Sequence, residues 1–486
     1  MPKFKSLVLF VFLLIVVSFS ACKNESDSAQ KAKYVFYFIG DGMGNQQITT
    51  TQAYLASQVD NKIGTSNLAF TQFPVVGLAE TFAYNRYVTG SAAAGTALAT
   101  GNKTSINTIG LSHDYSDTLY SIAHHANNNG FSVGIATSVS IDHATPAAFY
   151  AHQTQRSYYH SIAHDMINSG FRYFGGGGLR DPKGKKSDSP KGNVYQHGKE
   201  NGVLFTNNLS ASYDTLSNYQ TIVYSVPKPS YGNTLQYQID AKDEHDIKLK
   251  DIAKQGINVL SSSNSGFFFM IEGGKIDWAC HDNDAATTIM DMIAFSDAID
   301  LAVEFYNEFP DETLIVVTSD HETGGMSLGN SYNGYNTDVS FLNNQKYSLE
   351  VFNSKVRDFK ASHNGSPTFD QVKQLLIHDF SLGMSYDSLP SSCQEAIRSA
   401  YAASIGNKTD EQQVVIKTEY GSFDPIAVVA VRTINRLAGI GWSTGAHTGS
   451  HVPVYAMGAG QHLFNGQMDN TDIPKRIARA MGIDNF

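Results

Sequence analysis

Short, mostly apolar runs that lead into an acid, a histidine or both constrain this chain more than any other feature. Residues 34–39 run into Gly40-Asp41-Gly42-Met43-Gly44, and residues 131–136 lead to Asp142-His143-Ala144-Thr145. Residues 267–271 end at Glu272, and residues 314–318 lead to Asp320-His321. A further run, 454–457, follows Gly445-Ala446-His447-Thr448-Gly449. Runs of this length without polar alternation read as strands buried on both faces, the habit of parallel sheets. Helical patterns lie between them. In one, over about 285–305, Ile289, Met292, Ile293, Ile299 and Val303 are spaced to share a face. The predicted fold is α/β, a mainly parallel central sheet with helices on both faces. Ligands of such sheets bind outside the carboxyl ends of the strands. One strand-end acid is commonly only a cap or a turn residue; four in succession predict one shared site.

Two stretches interrupt the rhythm. Residues 180–202, rich in Lys, Gly and Asp, read as a surface loop. Residues 328–442 read as a long insertion, with a helix opened by a Thr368/Gln371 capping box. Before the first strand, Lys3 and Lys5 precede an apolar run, 7–17, and then Ser18, Ser20, Ala21 and Cys22. This is the order of an export signal, and a cysteine after small residues is similar to a bacterial lipobox. The expected organisation is a signal peptide over 1–21, a polar tether over 22–33 and a catalytic domain over 34–486. The mature chain is expected to be exported and held at the envelope by a lipid on Cys22. Only Cys280 and Cys393 remain, which are expected as free thiols. A hydrophobic share of 42% supplies a large core, and a net charge of −10 argues against nucleic-acid binding.

The chemistry-bearing residues can be weighed one by one. Asp277 and His281 are four apart, so on a helix they face one way and suit a cation; such pairs are often no more than a solvated face. Asp320-His321 offers one hard and one borderline ligand. Asp41 lies between glycines that let the backbone bend a carboxylate toward a metal. His447 sits in a small-residue loop. Ser91, within Thr89-Gly90-Ser91-Ala92-Ala93-Ala94-Gly95-Thr96-Ala97, stands at the start of an alanine-rich helix. It is there either a helix cap or a nucleophile favoured by the helix dipole. A serine needs a base or a metal to react, and there is no nucleophile elbow.

Together these segments resemble the alkaline phosphatase family. Gly-Asp-Gly-Met-Gly, the Ser91 segment, His-Ala-Thr-Pro with a following Arg156, Glu-Gly-Gly-Lys-Ile-Asp with a following His281, and Thr-Ser-Asp-His-Glu-Thr-Gly-Gly stand in the family's order. The resemblance implies two Zn2+ and one Mg2+. Asp277, His281 and His447 would hold the first zinc. Asp41, Asp320 and His321 would hold the second, beside Ser91. Asp41, Thr145 and Glu272 would hold the magnesium. It further implies hydrolysis of phosphate monoesters through a phosphoserine, with Arg156 clamping the phosphoryl oxygens, and a homodimer. Three positions depart from the best-known pattern. Gly90 replaces an aspartate that helps hold the arginine. His143 stands where some members have Asp, as a neighbour that tunes the magnesium site. Trp278 stands where Lys or His often nears substrate, either stacking on a leaving group or packing.

Two rival functions fit less well. A phosphodiesterase of the same superfamily would generally lack the third site that Thr145 and Glu272 imply. A non-catalytic surface lipoprotein would have lost a nucleophile or ligand, and none is missing. The leader makes its own prediction: labelled fatty acid is expected on the wild-type protein and not on Cys22→Ser, as read by autoradiography of membrane fractions.

Overall fold

The computed structural model describes residues 31–59, 62–208, 213–227, 232–243 and 245–486, so the leader and Cys22 lie outside the described residues. Eight strands come first: β1 (Tyr34–Ile39), β2 (Val75–Glu80), β3 (Ser132–Thr137), β4 (Tyr173–Gly177), β5 (Val203–Thr206), β6 (Thr221–Val226), β7 (Phe267–Glu272) and β8 (Thr313–Thr318). They are followed by β9 (Glu322–Thr323), β10 (Met326–Leu328), β11 (Ile440–Trp442), β12 (His447–Thr448), β13 (Val452–Gly458) and β14 (Gly466–Asp469). Ten of them form one sheet in the order β14-β2-β13-β8-β1-β7-β3-β4-β6-β5. The other four form two small antiparallel pairs, β10 with β11 and β12 with β9.

The apolar runs form the centre of the sheet because both of their faces are covered. Along β1, Val35, Tyr37 and Ile39 pack into one core while Tyr34, Phe36 and Phe38 pack into the other. This is the two-residue alternation of a pleated strand between two helical layers. The long helix Ala285–Glu308 covers the second face with Met292, Phe295 and Ile299. Cys280 and Cys393 are buried free thiols. Among the described residues no helix is long and apolar enough to cross a membrane.

Two expectations need correction. The last predicted strand is not parallel: β13 pairs antiparallel with both β8 and β2. The chain reaches its start through β12, at the carboxyl edge of β8, and runs back down the sheet without a crossover. The stretch 180–202 is not all loop, since Val194–Glu200 forms a helix capped by the Asn193 side chain. Strands β2, β4, β5, β6 and β14 also join the sheet unannounced. In β4, three of five residues are glycine, which conceals a strand; a Cβ on Gly175 would collide with Ile252.

The stretch 328–442 carries its own helices, among them Leu349–Ser362 and Pro425–Ala438. Thr368 caps its helix by the predicted box with Gln371. Phe352, Val356, Ile397, Val429 and Ile434 cluster with Ala285, Ala286 and Ile289, at the start of the long helix. The insertion therefore shares a core with the helix that follows the Asp277 segment.

Phe36 is fully buried against Phe267 at 5.1 Å and Phe305 at 5.5 Å between ring centroids. Phe36→Ala is expected to cost about 3–5 kcal/mol of stability, measured by urea unfolding.

Candidate active site

The site lies across five adjacent strands, β13-β8-β1-β7-β3. Asp41 follows β1, Glu272 ends β7, Asp320 and His321 follow β8, and His143 and Thr145 follow β3. Because β13 is antiparallel, the residues before it lie at this same edge, and His447 comes with them. Gly42 makes the turn after β1 with φ +76°, and a Cβ there would lie 2.8 Å from the Asp277 Cα. Only glycine allows both the left-handed backbone and that approach. Asp277 and His281 sit one turn apart on the short helix Lys275–His281, as their spacing predicts.

Among the described residues, three groups of possible metal ligands emerge: Asp277, His281 and His447; Asp41, Asp320 and His321; and Asp41, His143 and Glu272. Within each, the ligand atoms lie within 4.8 Å of one another. His281 Nε2 and His447 Nε2 stand 3.4 and 3.6 Å from the Asp277 oxygens and 3.1 Å from each other. Nε2 of His321 lies 3.3 Å from Asp320 Oδ2 and 3.6 Å from Asp41 Oδ1.

The hydrogen bonds behind the imidazoles decide what these groups can hold. His281 Nδ1 faces the Gly445 carbonyl and His447 Nδ1 the Thr89 carbonyl, each at 2.8 Å. A carbonyl only accepts, so both protons sit on Nδ1. Thr323 donates its hydroxyl to Asp277 Oδ1 at 2.6 Å, which leaves its oxygen to accept from His321 Nδ1 at 3.3 Å. All three Nε2 lone pairs therefore point inward without a proton between them. Burial, helped by neighbouring His447 and His281, holds His321 well below the ordinary histidine pKa, so it is neutral.

The carboxylates tell the same story. Both Asp41 oxygens, Asp320 Oδ2 and Glu272 Oε1 are buried and accept no hydrogen bond. Burial raises Asp320 to about 7, with Asp277 adding repulsion. Burial likewise raises Glu272 to about 8, although the Thr137 hydroxyl opposes this by donating to it. Asp41 is raised well above the carboxylate range by burial and by the charges of Asp320, Asp277 and Glu272. Buried acids facing one another beside neutral imidazole lone pairs are a donor set that fits divalent cations.

Ser91 opens the helix Ser91–Thr100 and is 1% exposed, with Oγ 3.4 Å from His321 Nε2. Gly90 precedes it and leaves open space, its nearest neighbour to a built Cβ being His447 Cε1 at 3.9 Å. Nothing there could hold Arg156. Instead, Arg156 Nη2 donates to His143 Nε2 at 3.1 Å. Burial holds His143 far below its usual pKa, with Arg156 and Arg180 adding to the effect. The ring is therefore neutral and carries its proton on Nδ1. Trp278 stands beside it, ring centroids 5.9 Å apart and nearly perpendicular. Sequence reasoning passed over Thr323, Thr137 and Glu322. Glu322 accepts from Gln47 at 2.7 Å and from the Thr448 hydroxyl, fixing the β9–β12 pair beside His447. Thr323 and Glu322 stood inside a quoted motif, but Asp277, Gln47 and Thr448, whose contacts give them their roles, are far away in the chain.

Comparison with known proteins decides the family. The sequence model described as alkaline phosphatase matches residues 32–483. The chain belongs to the alkaline phosphatase family. It is 29% identical to alkaline phosphatase 3 of Bacillus subtilis over 95% of this chain and 92% of that one. A cold-active alkaline phosphatase from a psychrophilic Shewanella superposes with TM-score 0.72 at 27% identity, covering 92% of this chain and 99% of its own. A variant of the alkaline phosphatase of the Antarctic bacterium TAB5, with magnesium bound in its M3 site, superposes with TM-score 0.64 at 25% identity, covering 94% and 99%. This protein is therefore a phosphatase with the α/β fold of that family.

Thr323 offers a direct test of the ligand support. Thr323→Val removes the hydroxyl that bridges Asp277 and His321, and such supporting bonds are worth roughly 10–100-fold in metal affinity. Retention of a divalent metal ion against a competing chelator is expected to fall by at least the lower figure.

Proposed function

We propose that this phosphatase hydrolyses phosphate monoesters in two displacements, through a phosphoserine at Ser91. One convergence carries the reading: Ser91, Arg156, Asp277, His281 and His447 line a single open cleft of about 410 Å3. Asp277, His281 and His447 would hold one zinc, and Asp41, Asp320 and His321 a second. Asp41, Thr145 and Glu272, all oxygen donors, would hold a magnesium. His143 contributes its proton-bearing Nδ1 side, which cannot ligate, because Nε2 already accepts from Arg156. When bound, such cations supply Lewis acidity and offset charge on the attacking and leaving oxygens.

The chain's own groups do the rest. Arg156 points N–H donors at the phosphoryl oxygens, a planar fork that matches phosphate. The free N–H groups at the start of the Ser91 helix add positive potential where the phosphoryl group must sit. Ser91 Oγ attacks phosphorus, the ester P–O bond breaks, and the alcohol leaves with a proton. Water then attacks the phosphoserine, its Oγ–P bond breaks, and inorganic phosphate leaves as the serine hydroxyl is restored. The oxygen-donor group around Glu272 favours a monoester over a diester substrate. We place the mature protein, as a lipid-anchored homodimer, at the cell envelope on the strength of its leader and family.

The test is trapping and turnover on one preparation. Denaturation at mildly acidic pH with labelled phosphate should leave label on Ser91 and none on Ser91→Ala. A monoester should be turned over in preference to a matched diester, with about two zincs and one magnesium per chain. Label on another residue, or preference for the diester, would overturn the proposal.

A further inference from the structure

Part of the cleft wall takes no part in the phosphoryl chemistry. Tyr237, Trp278, Asp282, Glu350 and Phe423 line it beside Ser91 and Arg156. They come from three places in the chain. Trp278 and Asp282 belong to the Asp277 segment, Tyr237 follows β6, and Glu350 and Phe423 belong to the insertion. Trp278 and Phe423 are partly exposed, so apolar ring surface lines the cleft. Trp278 is edge-on to His143, the residue that holds Arg156. The indole therefore stands one ring away from the phosphoryl clamp, where the alcohol of an ester must lie.

The charges on this wall are as specific as its rings. Arg156 is the only lysine or arginine lining the cleft among the described residues, and the phosphoryl group occupies it. Lys275 is nearby but buried, its side chain 1% exposed, lying over the Tyr237 ring at 3.5 Å and 3.9 Å from Glu350. Arg180, 6.0 Å from the Trp278 ring centroid, donates to the Tyr159 hydroxyl and does not line the cleft. Among the described residues lining the cleft, a second phosphate on the alcohol would thus meet two carboxyl groups and no lysine or arginine beyond Arg156. A flat, uncharged group would cover apolar ring surface and lose no charge solvation.

We propose that this wall selects monoesters of flat, uncharged alcohols, nucleosides and aryl alcohols among them, over alcohols bearing a second phosphate. The insertion serves the site by delivering Phe423 and Glu350 to its mouth. The preference rests on the monoesterase reading above.

Matched substrates isolate the effect. Adenosine 5′-monophosphate and ribose 5-phosphate share the phosphorylated ribose and differ by the base at C1′. Wild type is expected to favour the nucleotide in kcat/KM by roughly tenfold, the scale of one base–aromatic contact. Fructose 1,6-bisphosphate should be a poorer substrate than fructose 6-phosphate. Trp278→Ala should erase the nucleotide preference through KM, and Trp278→Phe should retain most of it. Phe423→Ala should lower the nucleotide-over-ribose-phosphate ratio in kcat/KM. Equal use of nucleotide and ribose phosphate by wild type, or a ratio unmoved by both alanine variants, would overturn the proposal. If neither ester is turned over, the monoesterase reading itself fails, and the preference with it.

Discussion

Everything at this site depends on the crowding of buried negative charge. Asp41, Glu272, Asp277 and Asp320 converge at the ends of neighbouring strands, and each is almost wholly out of water. Like charges at this range in a poorly solvated place oppose folding, and burial with that repulsion raises Asp41, Glu272 and Asp320 above the carboxylate range. The surrounding structure answers in one way. It turns three imidazoles so that their Nδ1 protons go to oxygens behind them and their lone pairs face the acids. That arrangement is destabilising as bare protein and favourable around cations, and it brings Ser91 and Arg156 to the edge of the same charge cluster.

The antiparallel strand β13 matters more than its single place in the sheet suggests. A parallel strand there would enter from the far edge, and His447 would lie on the wrong side of the molecule. Running it backward lets the small β9–β12 pair hold His447 against Asp277. The insertion has a comparable role. Its helices share a core with the long helix after Asp277, which ties Phe423 and Glu350 to the Asp277 segment.

Much of this was legible in the chain. The four buried strands of the site, the pairing of Asp277 with His281 on one helical turn, and Ser91 at a helix start all follow from local periodicity and spacing. Other features were hidden for physical reasons. The Gly-rich β4 has no side-chain pattern to read. The direction of β13 is a matter of connection, and hydropathy does not encode it. Arg156 and His143 are thirteen residues apart, and nothing in that spacing says that one ring nitrogen accepts a hydrogen bond from the guanidinium.

The sequence by itself determined which groups exist and where along each strand or helix they stand, because strand ends, glycine turns and helical spacing are local properties. Only the tertiary structure decided how those groups meet. It chose the strand order that makes β8, β1, β7 and β3 neighbours, the side of the sheet on which His447 emerges, and the tautomer of each imidazole. Those outcomes rest on contacts between residues far apart in the chain, such as the Thr89 carbonyl behind His447, |i−j| of 358 away. A contact of that kind is set by the packing of the whole sheet and its helices, and no local stretch of sequence carries it.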